Sequence, residues 1–129
     1  MSPLGLLLFA HGARDPNWAL PFEDVARRIR AREPRVVVEL AFLEFMAPDL
    51  REAGQRLVAA GCERVDVVPL FLGAGGHVRK DLPALFNELV AAHATVRWSL
   101  RQAIGEVDSV IDAMTSAALA MVFAEPPTR

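Results

Sequence analysis

The chain has 129 residues, the length of one ordinary domain, and 53% of them are hydrophobic. Its formal net charge of −2 at pH 7 argues against a nucleic-acid partner, because phosphate binding needs clustered lysine and arginine side chains. The single cysteine, Cys62, excludes an internal disulfide and suits a reducing compartment. We expect its thiol to be a small buried apolar group just before a strand.

Neither end of the chain is predicted to be a targeting or membrane segment. The apolar run at residues 4–10 is too short for a signal-peptide core, and no basic residue precedes it. The apolar stretch near the C-terminus carries Glu106, Asp108 and Asp112, which argues against a membrane span. We therefore expect a cytoplasmic protein that has no membrane partner.

Segments typical of strands and helices alternate along the whole chain. The four predicted strands are residues 4–10, 35–43, 64–70 and 95–100. A first helix is predicted between Asp15–Pro16 and Pro34, a second between Pro48–Asp49 and Gly61, a third over Leu82 to Val90, and a last over residues 106–123. A loop over residues 71–80 precedes the third helix, in which Pro83 is expected only within the first turn.

For two of these helices, the apolar pattern predicts which side chains are buried. Asp15 is predicted to cap the first helix, with Trp18 and Phe22 on its core face. Stacking of these two rings on an aromatic substrate is the alternative. The last helix is expected to turn one apolar face inward, formed by Val107, Val110, Ile111, Met114, Ala118, Met121 and Val122.

The alternation predicts an α/β fold with a four-stranded parallel sheet and helices on both faces. Right-handed crossovers favour the strand order 2-1-3-4, which makes the first and third strands neighbours. One domain is expected over residues 1–124, followed by a flexible tail at residues 125–129. Ligands of such sheets bind at the carboxyl ends of the strands, near the point where the strand order reverses.

Three side chains that can bind metal follow three of the predicted strands. His11 follows the first strand, Glu44 the second, and His77 the third after the glycine-rich stretch at residues 73–76. Each of them alone is an ordinary turn or loop residue. In a parallel sheet, however, they would meet at one edge, and two imidazoles with a carboxylate suit a divalent first-row metal.

The surroundings of these residues narrow the chemistry further. The glycine-rich stretch has neither the GxGxxG spacing nor the Walker lysine, which argues against a nucleotide site. It is either a mobile loop without a ligand or a loop that moves or lies flat against a large planar substrate. Arg14, Arg79 and Lys80 flank the two histidines and could meet substrate carboxylates. No GxSxG motif supports a hydrolase. His93, at the end of the third helix, is expected to be a surface residue.

Several segments together resemble one known family. They are FAHGARDP at residues 9–16, FLE at 42–44 with Pro48, PLFL at 69–72, GGH at 75–77 and DLP at 81–83. The chain is similar to the small CbiX-type sirohydrochlorin chelatases, which are class II enzymes that insert cobalt, iron or nickel into a tetrapyrrole without ATP. The resemblance extends to about Pro83. It departs from the family at Ala13, where a serine is frequent.

The resemblance implies a flavodoxin-like half of the larger chelatase fold, acting as a homodimer. The resemblance implies that His11 and His77 bind the metal and transfer protons, and that Glu44 is a supporting ligand or acid. Substrate contacts are expected from Arg14, Gly75, Gly76, Arg79 and Lys80. The divalent metal is a substrate, so no permanently bound cofactor is implied. A non-catalytic metal or tetrapyrrole carrier is the alternative, as is a dimeric interaction module with structural histidines.

Overall fold

The computed structural model describes residues 2–73 and 75–127, except for the side chains of residues 76–79. Its four strands are β1 (Leu4–Ala10), β2 (Val36–Phe42), β3 (Arg64–Pro69) and β4 (Arg97–Leu100). Its helices are α1 (Leu20–Arg32), α2 (Leu50–Ala59), α3 (Gly76–Ala92) and α4 (Asp108–Phe123). Two 3-10 turns, at Pro16–Ala19 and Ile104–Glu106, precede α1 and α4.

The four strands form one parallel sheet in the order β2-β1-β3-β4, which confirms the predicted topology. Ala10, at the end of β1, lies opposite Phe42 at the end of β2, and Phe9 lies opposite Pro69 of β3. The loops that follow these three strands therefore leave the sheet at the same edge.

Helices cover the two faces of the sheet unequally. On one face, α2 and α3 pack over Leu7, Phe9, Val65 and Val67, each at most 1% exposed. On the other face, α1 covers β2, with Ala26 against a smaller cluster of buried residues. Within the described residues, no helix packs extensively on the β3–β4 half of that second face.

The start of the first helical segment differs from the prediction. Asp15 does act as a cap, accepting a hydrogen bond from the Asn17 N–H at 2.9 Å, but it caps the 3-10 turn. The tighter 3-10 turn shifts Trp18 away from the α-helical face on which it was expected. Trp18 is 44% exposed, so its predicted place in the core is wrong.

The third helix is longer than predicted, and the loop before it is shorter. α3 begins at Gly76, so Pro83 lies within the helix and not in its first turn. Proline removes one N–H that would bond to the carbonyl one turn earlier. Pro83 is exposed and is the eighth of the 17 residues of α3, so one backbone hydrogen bond of the helix is lost there.

The prediction for the last helix is wrong about burial. α4 begins at Asp108, since Glu106 belongs to the 3-10 turn, and none of its residues is buried. The helical pattern was sufficient to predict the helix itself. Burial depends on a packing partner, and α4 packs mainly against the 3-10 turn that precedes it.

The predicted burial of Cys62 is confirmed, since only 3% of the residue is exposed. Burial raises the pKa of the Cys62 thiol above its ordinary value, so the reactive thiolate is scarce at neutral pH.

We expect a thiol reagent to modify Cys62 in the native protein at least about 100 times more slowly than in the denatured protein. Mass spectrometry of timed reactions checks this, and equal rates in both states would contradict it.

Candidate functional site

His11 is held at the carboxyl end of β1 by contacts on two sides. Its ring lies at a tilt on Phe71, with 4.5 Å between the centroids, and Phe71 follows β3 in a buried position. Phe71 in turn packs edge-on against Phe9 of β1. The Trp18 indole N–H donates to the His11 carbonyl oxygen at 2.7 Å. Both the backbone and the ring of His11 are therefore fixed by aromatic residues.

Glu44 meets His11 across the edge between β1 and β2. The two side chains are 3.6 Å apart, from Nδ1 to Oε1, and are 42% and 38% exposed. The same Glu44 oxygen accepts a hydrogen bond from the Gly12 N–H at 3.3 Å. The structure thus brings together two of the three side chains singled out in the sequence. Because both remain partly exposed, a small ion or a proton can reach them from solvent.

Gly12 allows this close approach because it has no side chain. A Cβ atom at Gly12 would lie 1.5 Å from the Glu44 carbonyl oxygen, which is far inside van der Waals contact. The neighbouring backbones are also joined by the bond from the Leu43 N–H to the Ala10 carbonyl at 2.9 Å. The distance between His11 and Glu44 is therefore set by the backbone.

Beside this pair, Phe45 presents its ring to solvent. Its φ is 65°, a left-handed conformation that is uncommon for a bulky residue, and Phe45 is 65% exposed. The Arg14 guanidinium lies over the ring at 5.2 Å. A shallow cavity of about 380 Å³ runs past both of them. A cation and an aromatic face thus border the His11–Glu44 pair.

The remaining predicted residues lie on or near α3. The side chains of His77 and Arg79 fall outside the described residues, and Gly76 is described only as the first residue of α3. Gly75 and Lys80 are exposed, and a Cβ at Gly75 would meet nothing within 4 Å. Among the side chains that the structure describes, no three histidine, cysteine or acidic residues gather as a metal site. His77 is not among those described, so the predicted triad stays a prediction.

His93 lies at the other end of α3, at the helix C-terminus, and its ring is 6.1 Å from Trp98. The Trp98 indole N–H donates to the His93 carbonyl oxygen at 3.0 Å. His93 is therefore separate from His11 and Glu44, and its substitution is a suitable control in tests of the site.

Sequence reasoning did not identify Phe71 and Phe45 as parts of this site. Phe71 follows β3 just as His11 follows β1, so its position at the shared edge was available from the strand pattern. Phe45 gave no comparable signal, because neither its positive φ nor its exposure can be read from the sequence.

The sequence matches the CbiX family model over residues 5–119. The chain belongs to the CbiX family. A sirohydrochlorin cobaltochelatase of Saccharolobus solfataricus is 39% identical to this CbiX chain over 86 residues, which are 65% of the chain and 64% of the relative. One from Methanococcus maripaludis is 34% identical over 82 residues, 64% of the chain and 57% of the relative. Both matches span less than two thirds of the relatives' own lengths.

Solved structures share the fold of this CbiX chain. A protein from Marinobacter aquaeolei VT8, described as a CbiX protein of cobalamin (vitamin B12) biosynthesis, superposes with a TM-score of 0.81 at 32% identity. That match covers 93% of this chain and 98% of the other. The sirohydrochlorin chelatase SirB from Bacillus subtilis subspecies spizizenii, solved with cobalt, gives a TM-score of 0.79 at 23% identity. Here 92% of this chain matches only 51% of SirB.

Proposed function

We propose that this CbiX chain is an ATP-independent chelatase that inserts Co²⁺, Fe²⁺ or Ni²⁺ into a sirohydrochlorin-type tetrapyrrole. The observation that carries the proposal is the His11–Glu44 pair, 3.6 Å apart and partly exposed at the carboxyl edge of the sheet. The names of the CbiX relatives, which are sirohydrochlorin cobaltochelatases, support the same reaction.

The metal is a substrate here and needs a site that also releases it. Nδ1 of His11 faces Glu44, so Nε2 is the nitrogen that we assign to the metal. A carboxylate on the second ring nitrogen orients a ligating histidine and raises its basicity. We assign a second imidazole to His77, with Glu44 as a supporting ligand or acid. An incomplete set of protein ligands lets the ion pass to the four ring nitrogens.

Insertion also requires that two pyrrole N–H protons leave the macrocycle. The neutral imidazole of His11 and the carboxylate of Glu44 can each accept a proton at the point where the metal enters. Their partial exposure lets these protons pass on to solvent. Acidic solution should slow the reaction, because protonated histidines do not bind metal.

The macrocycle is a large flat ring with carboxylate groups at its periphery. Arg14 and Lys80 are exposed cations near the carboxyl edge of the sheet, and with Arg79 we assign them to those carboxylates. The exposed ring of Phe45 offers an aromatic face for stacking. We assign Gly75, where a Cβ atom would meet nothing within 4 Å, and Gly76 to the approach of the ring's edge.

The direct test is a chelation assay with sirohydrochlorin and each of Co²⁺, Fe²⁺ and Ni²⁺, followed by the tetrapyrrole absorption spectrum. With at least one ion, we expect more than one equivalent of metallated product per enzyme. The ion that is inserted fastest identifies the preferred metal. Stoichiometric binding without turnover would instead identify a metal or tetrapyrrole carrier. If the protein binds neither the metal nor the tetrapyrrole, the remaining interpretation is a dimeric interaction module with structural histidines.

Replacing Glu44 with glutamine keeps an oxygen that can accept from the Gly12 N–H but removes the negative charge. We expect metal affinity to fall by roughly 10–100-fold, the usual effect of losing a carboxylate that supports a ligating histidine. Titration of the metal in the absence of tetrapyrrole measures this change. Glu63→Gln is the matched control, since exposed Glu63 precedes β3 at the opposite edge of the sheet. Equal losses in both variants would refute the role of Glu44.

We also propose that the working form is a homodimer in the cytoplasm. One copy matches about half of SirB, so two copies would supply the equivalent of both halves. The lone buried thiol suits a reducing compartment. Within the described residues, no helix is long and apolar enough to cross a membrane.

A further inference from the structure

The imidazole of His11 needs more than its contact with Glu44 to keep one orientation. A histidine side chain turns about two bonds, and a single contact of 3.6 Å from Nδ1 to Oε1 leaves the plane of the ring undetermined. Both side chains are partly exposed, so water competes for that contact. A functional group that must stay within about 0.5 Å of its working position needs neighbours that are themselves fixed.

Phe71 supplies this support at the face of the imidazole ring. The two ring centroids are 4.5 Å apart and the planes are inclined by 37°, so the phenyl face restricts rotation of the imidazole. Phe71 is itself held in place, because it is only 3% exposed and packs edge-on against Phe9 with 6.0 Å between the centroids. Its carbonyl oxygen also accepts a hydrogen bond from the Gly105 N–H at 2.9 Å. Phe71 therefore extends the rigid core to a partly exposed histidine.

Trp18 holds the backbone of the same histidine. Its indole N–H donates to the His11 carbonyl oxygen at 2.7 Å, the short end of the usual range for such bonds. The 3-10 turn Pro16–Ala19 places the indole, since the Trp18 backbone N–H donates to the Asp15 carbonyl oxygen at 3.0 Å. The ring of Phe22 packs behind the indole, with 5.6 Å between the centroids. This hydrogen bond gives a reason for the exposed position of Trp18 at the edge of the site.

A second tryptophan makes the same kind of bond away from the site. The Trp98 indole N–H donates to the His93 carbonyl oxygen at 3.0 Å, and the two rings are 6.1 Å apart. At His11 the bond is combined with a ring stacked at 4.5 Å and with a carboxylate 3.6 Å from Nδ1. Trp98 is therefore a matched control for the role of Trp18.

We propose that Phe71 and Trp18 are positioning residues, which together hold the His11 ring with Nδ1 on Glu44 and Nε2 directed to the metal. This role rests on the proposed chelatase function and deepens it. Both residues act through His11 and not by contact with the metal. An imidazole that is already oriented loses less conformational freedom when the ion binds, so the affinity for the metal is higher. The same geometry keeps the proton acceptor at the point where the metal enters the macrocycle.

The test compares the intact protein with variants that each remove one support. Phe71→Leu removes the aromatic face, and Trp18→Phe removes the N–H donor while it keeps a ring at an exposed position. Val65→Ala is the control for Phe71, because it trims a fully buried side chain of the same core cluster at the opposite end of β3. Trp98→Phe is the control for Trp18, because it removes the corresponding bond to a histidine carbonyl. Thermal unfolding shows which variants are folded.

Two measurements are made on each folded variant. Titration with Co²⁺ in the absence of tetrapyrrole gives the affinity for the metal. Proton NMR of the metal-free protein in alkaline solution reports on the His11 ring, because the ring current of Phe71 displaces its C–H signals from those of an unstacked imidazole. The His11→Ala variant identifies these signals by their loss.

We expect the affinity for Co²⁺ to fall at least about 10-fold in both Phe71→Leu and Trp18→Phe, as for other lost supports of a ligating histidine. The His11 signals should move in both variants, while those of His93 stay in place. Both controls should keep the affinity within about twofold of wild type, as expected for substitutions away from the site. Val65→Ala should nevertheless lower the melting temperature, and Trp98→Phe should move only the His93 signals.

A folded Phe71→Leu or Trp18→Phe protein that keeps the wild-type affinity would overturn the positioning role, and so would equal losses in the controls. If His11→Ala alone loses Co²⁺ binding, the positioning role is wrong and the chelatase proposal stands. A wild-type protein that neither binds nor inserts a metal would overturn both proposals. If Phe71→Leu does not fold, Trp18→Phe decides the outcome, because Trp18 is 44% exposed and its substitution spares the core.

Discussion

Replacing His11 with alanine is expected to lower the rate of metal insertion by roughly 10²–10⁴-fold, the usual contribution of a positioned acid–base group. The variant loses the imidazole that we assign to both metal binding and proton transfer. The fold should remain, because the His11 side chain is 42% exposed and its backbone carbonyl still accepts from Trp18. The chelation assay measures the rate, and thermal unfolding reports on the fold. His77→Ala should show a loss of the same order.

The third histidine provides the control. His93→Ala removes an imidazole at the far end of α3, away from Glu44, and should leave the rate within about twofold of wild type, as expected for a substitution outside the reacting groups. If His11→Ala and His77→Ala both keep the wild-type rate, the assignment of the site is wrong. If all three variants lose activity equally, the cause is general instability.

Replacing Gly12 with alanine is expected to destabilise the protein and to separate His11 from Glu44. The new methyl group would lie 1.5 Å from the Glu44 carbonyl oxygen, which belongs to backbone and cannot rotate away. Overpacking of this kind costs about 1–3 kcal/mol, enough to lower the melting temperature by several degrees. The rate of insertion should fall as well, because the Gly12 N–H also orients the Glu44 carboxylate.

Gly73→Ala is the matched control for this substitution. Gly73 follows β3 at the same edge, and a Cβ there would meet nothing within 4 Å. The melting temperature of this variant should equal or exceed that of the wild type, because alanine restricts the unfolded chain more than glycine does. A Gly12→Ala protein as stable as Gly73→Ala would show that the two loops are not held together as described.

The strands were predictable because parallel strands buried on both faces read as continuous apolar runs. β1 was predicted with its observed bounds, and the other strands within about two residues. The order β2-β1-β3-β4 also followed, because short right-handed crossovers permit few alternatives. The proximity of His11 and Glu44 was then a consequence of topology, since the two residues follow the neighbouring strands β1 and β2.

Side-chain surroundings were less accessible from the sequence. The exposure of Trp18 and the positive φ of Phe45 depend on how the chain turns after β1 and β2. Residues Pro16–Ala19 form a 3-10 turn instead of the predicted α-helical turn, and this difference was enough to move Trp18 from the expected core to the edge of the site.

Local patterning by itself determined the α/β class, the parallel sheet and the edge at which His11 and Glu44 lie, because hydrophobic periodicity and strand crossovers are properties of short segments. Tertiary structure alone decided that Gly12 contacts the Glu44 backbone, that Phe71 lies under the His11 ring, and that α4 stays uncovered. An apolar helical stripe specifies that a helix must be buried. The surface that buries such a helix depends on where the rest of the fold leaves room for it. In this chain α4 does not pack on the sheet of its own chain, so its apolar residues stay exposed.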